Sequence, residues 1–145
     1  SAASDVYKRQ AALAARKHIE LSADILPRLL VTGAEDDVRT LFSSLIENAV
    51  TYTQAGGTVD ISLRQSQAGG CAEVCDNGPG LPEGAQARIF ERFFRAAPEV
   101  AEGTGLGLAI ARRIAERQGF GLEVVNRTDT VRGVVARVTM PGSWS

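Results

Sequence analysis

Asp76-Asn77-Gly78-Pro79-Gly80 and Gly103-Thr104-Gly105-Leu106-Gly107-Leu108 are the two stretches on which the reading of this chain turns. The first follows the strand-like Cys71-Ala72-Glu73-Val74-Cys75 and sets a carboxylate at a strand end, just before a tight turn. The second leads into a helix-like run from Leu108 to Arg117. A glycine-rich turn that opens a helix offers bare backbone N–H groups at a positive dipole end, which suits phosphate. A buried carboxylate beside glycines can accept a hydrogen bond from a ring amine lying against the backbone. The pair points to a nucleotide gripped at both ends, with its base on Asp76 and its phosphates on the second run. Two ordinary glycine turns are the plainer alternative. The commoner nucleotide signatures do not fit. Leu108 stands where a GxxxxGK[ST] loop has its Lys, and Glu83 takes the last glycine position of a GxGxxG fingerprint set on Gly78 and Gly80.

Bulk properties narrow the classes. A chain of 145 residues is the size of one domain, and 44% hydrophobic residues suffice for a core. Lys and Arg number 16 against 17 Asp and Glu, so nothing electrostatic favours nucleic acid or an anionic membrane as partner. No apolar run has the length of a membrane span, and no charged leader with an apolar stretch opens the sequence. Cys71 and Cys75 on one strand would sit about 13 Å apart, beyond the roughly 7 Å reach of a disulfide. They read as small residues in a sheet, consistent with a reducing compartment.

Ser1 to Ala12 show no clean period and read as a lead-in, so residues 1–14 are set apart from a domain at 15–145. Ile19 and Leu21 alternate with polar neighbours in a strand from Lys17 to Asp24, with His18 on its exposed parity. Glu35 to Thr53 is the strongest helix: Val38, Leu41, Phe42, Leu45, Ile46, Ala49 and Val50 repeat at helical spacing. Ser44, Glu47, Asn48, Thr51 and Tyr52 lie off that stripe, and Gly56-Gly57 follows the helix end. Thr58 to Gln65 and Cys71 to Asp76 read as strands joined by a hairpin-like loop. Glu83 to Arg95 reads as a short helix ending in Phe90, Phe93 and Phe94. Ala96 to Gly103 has loop composition, Gly105 to Gln118 is a second strong helix capped by Gly119, and Leu122–Asn126 and Gly133–Met140 close the chain as strands. This order predicts an α+β fold: a two-layer α/β sandwich, with helices on one face of a mixed, mostly antiparallel sheet. The other face needs a partner or a polar surface.

Taken in order, Glu47-Asn48-Ala49, Asp76-x-Gly78-x-Gly80, Phe90-Glu91-Arg92-Phe93-Phe94-Arg95 and Gly103-Thr104-Gly105-Leu106-Gly107 resemble the catalytic ATP-binding domain of bacterial sensor histidine kinases. The resemblance runs from about Ala15 to Pro141. It also takes in gyrase-type, chaperone and mismatch-repair ATPases, while the aromatic-basic run resembles the kinases in particular. It implies the Bergerat-type ATP-binding fold, with ATP and magnesium as cofactors. Asn48 would hold the magnesium. Asp76 would accept the adenine amine with help from Gly80, and Gly103, Gly105 and Gly107 would let a loop close on the phosphates. Tyr52, Gly78, Thr104 and Leu106 complete the implied nucleotide set. Residues 96–102 would form the ATP lid, Arg95 at its base would reach the terminal phosphate as a catalytic group, and the three Phe would anchor the lid and meet the partner domain.

Three departures stand out. Ser44 and Thr51 replace an Asn and a Lys or Arg that many members carry, and Gln118-Gly119-Phe120 replaces His-Gly-Gly. The first two remove polar or cationic help from the phosphate end. The sequence also lacks the phosphoacceptor stretch of such kinases, since His18 lies between Lys17 and Ile19. The implied partners are therefore a dimerisation and phosphoacceptor domain upstream and a response regulator. The domain itself is expected to be monomeric, cytoplasmic and free of membrane contact, within a parent anchored in the inner membrane. Two alternatives stay open: an anti-sigma-type serine-protein kinase, and a nucleotide-binding regulatory module without kinase activity.

Overall fold

The computed structural model describes residues 2–25, 35–66, 69–91, 107–129 and 131–141. In chain order its elements are α1 (Ala2–Arg16), β1 (Glu20–Ile25), α2 (Glu35–Tyr52), β2 (Thr58–Ser66), β3 (Gly69–Asp76), α3 (Gly107–Gln118), β4 (Gly121–Asn126) and β5 (Val134–Pro141). The strands form one five-stranded sheet in the order β1-β2-β3-β5-β4. β1 runs parallel to β2, and every other pair is antiparallel. This is the expected mixed, mostly antiparallel α+β arrangement.

The apolar stripe of α2 fastens the helical layer to the sheet. Leu41, Leu45 and Val50 of α2, Val59 of β2, and Val138 and Met140 of β5 are fully buried. Burying a side chain of that kind contributes about 1.5–3 kcal/mol. α3 adds Leu108, Ala111, Ile114 and Ala115 to the same core. Its C-terminal Arg117 forks onto Asp37 in the first turn of α2 at 2.9 and 2.8 Å, and Gln118 Nε2 joins at 2.9 Å. An acid near one helix start thus meets a base at the other helix end, as both dipoles favour. These bonds hold the Asp37 carboxyl below its ordinary range, with Gln118 the larger cause and Arg117 the next.

The outer face of the sheet is closed by polar ladders. Glu73, Arg137 and Glu123 stand in register across three strands. Arg137 donates to Glu73 at 2.7 Å and to Glu123 at 2.9 Å. Ser22 and Asp60, paired across β1 and β2, share a hydrogen bond. Of the two options left by the sequence, the described residues show the polar surface.

Three local expectations are corrected. Of the stretch Ser1 to Ala12, read as aperiodic, the described residues 2–12 form most of α1, whose Gln10 and Ala14 are buried. Gln10, Leu13 and Ala14 face the core at helical spacing, a stripe with one large apolar residue, and the alanines add helix propensity. His18 is not on a strand: it stands before β1 at φ 60 and ends α1. Its N–H donates to Ala15 O at 3.1 Å, and the Ile19 N–H reaches Ala14 O at 2.9 Å, the paired bonds of a Schellman stop. Between 83 and 91, only Ala85–Ala87 is helical, and as a 3₁₀ turn. Gly84 at φ 83 and backbone bonds that each span three residues (Ala85 to Pro82, Arg88 to Ala85, Glu91 to Arg88) keep an α-helix from starting.

Candidate nucleotide-binding site

Asp76 ends β3 and is buried, at 6% exposure. Its Oδ1 accepts the N–H groups of Gly78 (2.9 Å) and Val134 (3.1 Å). Both bonds fall on one oxygen, which leaves Oδ2 for an outside donor. Burial pushes the carboxyl above its ordinary range, while the two N–H groups and the Arg127 charge pull it back. The loop that follows is pinned along its length. Asn77 exchanges two bonds with the backbone of Thr58, at 2.7 and 3.2 Å. Arg132 Nε donates to Pro79 O at 2.6 Å. Asn126 accepts the Leu81 N–H at 2.6 Å and donates to Leu81 O at 3.2 Å.

Helix α2 is the spine along which the rest is placed. A Cβ at Gly78 would lie 3.0 Å from Tyr52 O, so the glycine lets the Asp76 turn sit directly on the last turn of α2. A Cβ at Gly107, the first residue of α3, would lie 3.8 Å from Ser44 O. Ser44 and Tyr52 are about 12 Å apart along the helix axis at 1.5 Å per residue. Asn48 lies midway, half-buried, with Ser44, Thr51 and Tyr52 as its neighbours at helical spacing. The end of α2 has no basic residue of its own, and Lys17 supplies one by donating to Val50 O at 2.8 Å and to Thr51 O. Among the described residues, no group of three or more His, Cys, Asp or Glu is gathered as a metal-binding set.

Residues 33–143 match the family described as histidine kinase-, DNA gyrase B-, and HSP90-like ATPases. The chain belongs to this ATPase family. It is 35% identical over 132 residues to the swarming motility regulation sensor protein RssA of Serratia marcescens, covering 90% of this chain and 28% of that protein. This ATPase chain therefore spans less than a third of that curated relative's length. In structure it is similar to the mycobacterial sensor histidine kinase MprB, with a TM-score of 0.82, 28% identity, and 98% and 97% of the two chains covered. It is also similar to full-length ShkA in complex with AMPPNP, with a TM-score of 0.80, 28% identity, and 97% and 29% covered.

Of the residues singled out in the sequence, this ATPase fold places Asn48 and Tyr52 on α2, Asp76, Gly78 and Gly80 at the end of β3 and in the loop that follows, and Gly107 at the start of α3 beside Ser44. Arg95, Gly103, Thr104, Gly105, Leu106, Phe93, Phe94 and the lid at 96–102 lie outside the described residues. Phe90 is half-buried against the core, with the Arg112 guanidinium 5.1 Å from its ring centre, so it packs on α3. Among the described residues, no helix is long and apolar enough to cross a membrane. The sequence reading passed over Asn126, Arg127, Arg132 and Gly133. Gly133 carried the one available signal, a glycine entering a strand, and at φ 146 its Cβ position is 1.9 Å from Asp76 O.

Proposed function

We propose that this chain is the catalytic ATP-binding domain of a sensor histidine kinase, presenting ATP to a histidine on a dimerisation domain of the same kinase. The domain spans 15–145, and residues 1–14 are the lead-in to it, with 2–14 on α1. The observation that carries the reading is Asp76: a buried carboxylate with one oxygen occupied by two backbone N–H groups and the other open. That arrangement suits the amine of adenine. Gly78 and Gly80 allow the ring to approach the backbone, and Tyr52 borders the same turn. The phosphates would extend along α2 towards Gly107 and the glycine run at 103–106. Asn48 would give magnesium one oxygen, leaving its other positions to phosphate and water, and the ion would neutralise charge on the transferring phosphoryl group. Arg95, Thr104 and Leu106 are proposed for the phosphate end by their place in the sequence motifs. The AMPPNP bound in the ShkA structure supports an adenine nucleotide as ligand.

His18, the one histidine of the sequence, is committed to a helix stop, which supports a phosphoacceptor located elsewhere. A response regulator would take the phosphoryl group onward. The domain would work in the cytoplasm as a monomeric unit of a parent anchored in the inner membrane. The kinase relatives favour this over an anti-sigma-type kinase or a purely regulatory module.

Asp76→Asn tests the reading. Asn keeps Oδ1 as acceptor for Gly78 and Val134 but sets an amide donor where Oδ2 was, facing the donor of adenine. Loss of a charge-assisted bond of about 1.5–3 kcal/mol weakens ATP and ADP alike by roughly tenfold or more. Stability should hold or rise. The folded carboxyl titrates above its unfolded value, so its ionisation destabilises the fold from the unfolded pKa upward, and Asn removes that cost. Equal nucleotide affinity in variant and parent by calorimetric titration refutes the assignment.

A further inference from the structure

We propose that Asn126, Arg127 and Arg132, on the hairpin joining β4 to β5, are positioning residues for base recognition. The inference rests on Asp76 as the base acceptor and says what holds that acceptor in place. Residues 77–81 belong to no regular element, yet five polar groups between Asp76 and Leu81 are bound by this one hairpin. Asp76 Oδ1 takes the Val134 N–H, and Asp76 O takes Arg127 Nη1 at 3.0 Å. Pro79 O takes Arg132 Nε, and the Leu81 peptide pairs both ways with the Asn126 carboxamide.

The hairpin is itself braced for this task. Arg127 grips Asp129 with two nitrogens, at 3.1 and 2.6 Å, so its remaining donor is already aimed when it meets Asp76 O. The Arg127 N–H donates to Gly133 O at 2.9 Å and closes the turn. Gly80 completes the fit: a Cβ there would lie 3.0 Å from Asn126 Oδ1, and its φ of 84 suits a residue without one. The glycine thus serves the approach of Asn126 as well as that of a ligand. Because a hydrogen bond weakens steeply with poor aim, a slack loop would lose the bond to the base while leaving the phosphate contacts on α2 untouched.

Inosine triphosphate carries a carbonyl where adenine carries its amine and an N–H where adenine has the N1 acceptor, so the ratio of ATP to inosine triphosphate affinity reads recognition of that edge of the base. The 145-residue chain and its variants Asp76→Asn, Asn126→Ala, Arg127→Lys and Arg132→Ala are titrated with both nucleotides. Asn126→Ala should weaken ATP by about fivefold and leave inosine triphosphate within about twofold, a loss in the range of one hydrogen bond. Arg127→Lys keeps the charge but breaks the two-pronged grip on Asp129, and it should shift the ratio in the same direction. Arg132 is exposed, so Arg132→Ala retains the fold and should move the ratio by about two- to threefold. Parallel weakening of both nucleotides, or an unchanged ratio in these variants, overturns the inference and leaves the hairpin a structural role. If Asp76→Asn also leaves the ratio unchanged, the base assignment itself falls. If only Asp76→Asn changes it, the hairpin inference alone is wrong.

Discussion

The two ends of the proposed nucleotide site, a base end at Asp76 and a phosphate end on α2, are built in different ways. At the base end a buried carboxylate is fixed by backbone N–H groups, and its loop is tied down by side chains of one hairpin. At the phosphate end the described groups are short polar side chains, Ser44, Asn48 and Thr51, half-buried on one helix beside the start of another. A neutral exocyclic amine brings N–H donors but no charge, so its acceptor must be held rigid and kept dry, a cost met during folding. Phosphates carry charge on many oxygens, and water, a metal ion and helix dipoles can all contribute to holding them. Rigidity suits the first task and adaptability the second. Substitutions at the base end should therefore act through geometry, and those at the phosphate end through charge.

The strongest way to break the base end is Gly133→Ala. Its new Cβ would lie 1.9 Å from Asp76 O and 2.8 Å from Asp76 C, both backbone atoms, at a φ of 146 that side chains rarely adopt. Overpacking costs about 1–3 kcal/mol and the strained backbone a similar amount, so roughly 3 kcal/mol of stability is lost. Base discrimination goes with it. Gly119→Ala is the control: φ is 74, but open space surrounds the added carbon, and the expected cost is about 1 kcal/mol. Urea denaturation of both variants decides. If Gly133→Ala is as stable as Gly119→Ala, the loop is far softer than the contacts imply.

The phosphate end is sharpened by Thr51→Lys. Asn48 and Thr51 are three residues apart on α2, so they share a face. A cation there could bond a charged phosphate for about 1.5–3 kcal/mol, less up to about 2 kcal/mol for ordering the side chain. Lys17 already sits at this helix end and trims the gain by like charge. ATP should bind severalfold tighter, ADP less so, and the difference should shrink as salt rises. Unchanged ATP affinity at low salt removes Thr51 from the phosphate site.

What could be read from the sequence follows the same division. Periodicity placed α2, α3 and the strands β2 to β5 to within about two residues of their observed ends, because each alternates or repeats on its own. Asp76 and the glycines beside it were legible as a short motif. The hairpin anchors were not: Asn126 meets Leu81 45 residues away and Arg127 meets Asp76 at 51, contacts that only tertiary structure creates. Helix α1 escaped because its core-facing side is carried by Gln10, Leu13 and Ala14, of which only one is a large apolar residue. Residues 83–95 looked helical by composition, yet Gly84 in a left-handed turn prevents the α-helix over the part described.

The smallest expected effect lies beneath the base end, where α1 stops. α1 and α3 end in the same motif, with His18 at the left-handed position of one and Gly119 at that of the other. The Gly119 N–H reaches Glu116 O, and the Phe120 N–H reaches Ala115 O, repeating the two bonds made by His18 and Ile19. The apolar residues at the two ends of each motif, Ala14 and Ile19 in one and Ala115 and Phe120 in the other, are all buried. A left-handed backbone costs an L residue about 1–2 kcal/mol, and a polar side chain recovers part of this. Glycine avoids that strain but loses more freedom on folding. His18→Gly should therefore stabilise the chain by about 0.5–1 kcal/mol, a rise of roughly 2–3 °C in Tm for a domain of this size. Nucleotide affinity should not move. His18 O accepts the Gly56 N–H, and Gly57 packs on Asn77 beside Asp76, but Asn77 is already pinned by Thr58 and needs no further support. A gain in stability with altered ATP affinity would show that the base end is less rigid than its hydrogen bonds require. A loss of stability would mean that His18 contributes more in its folded place than its backbone strain takes away.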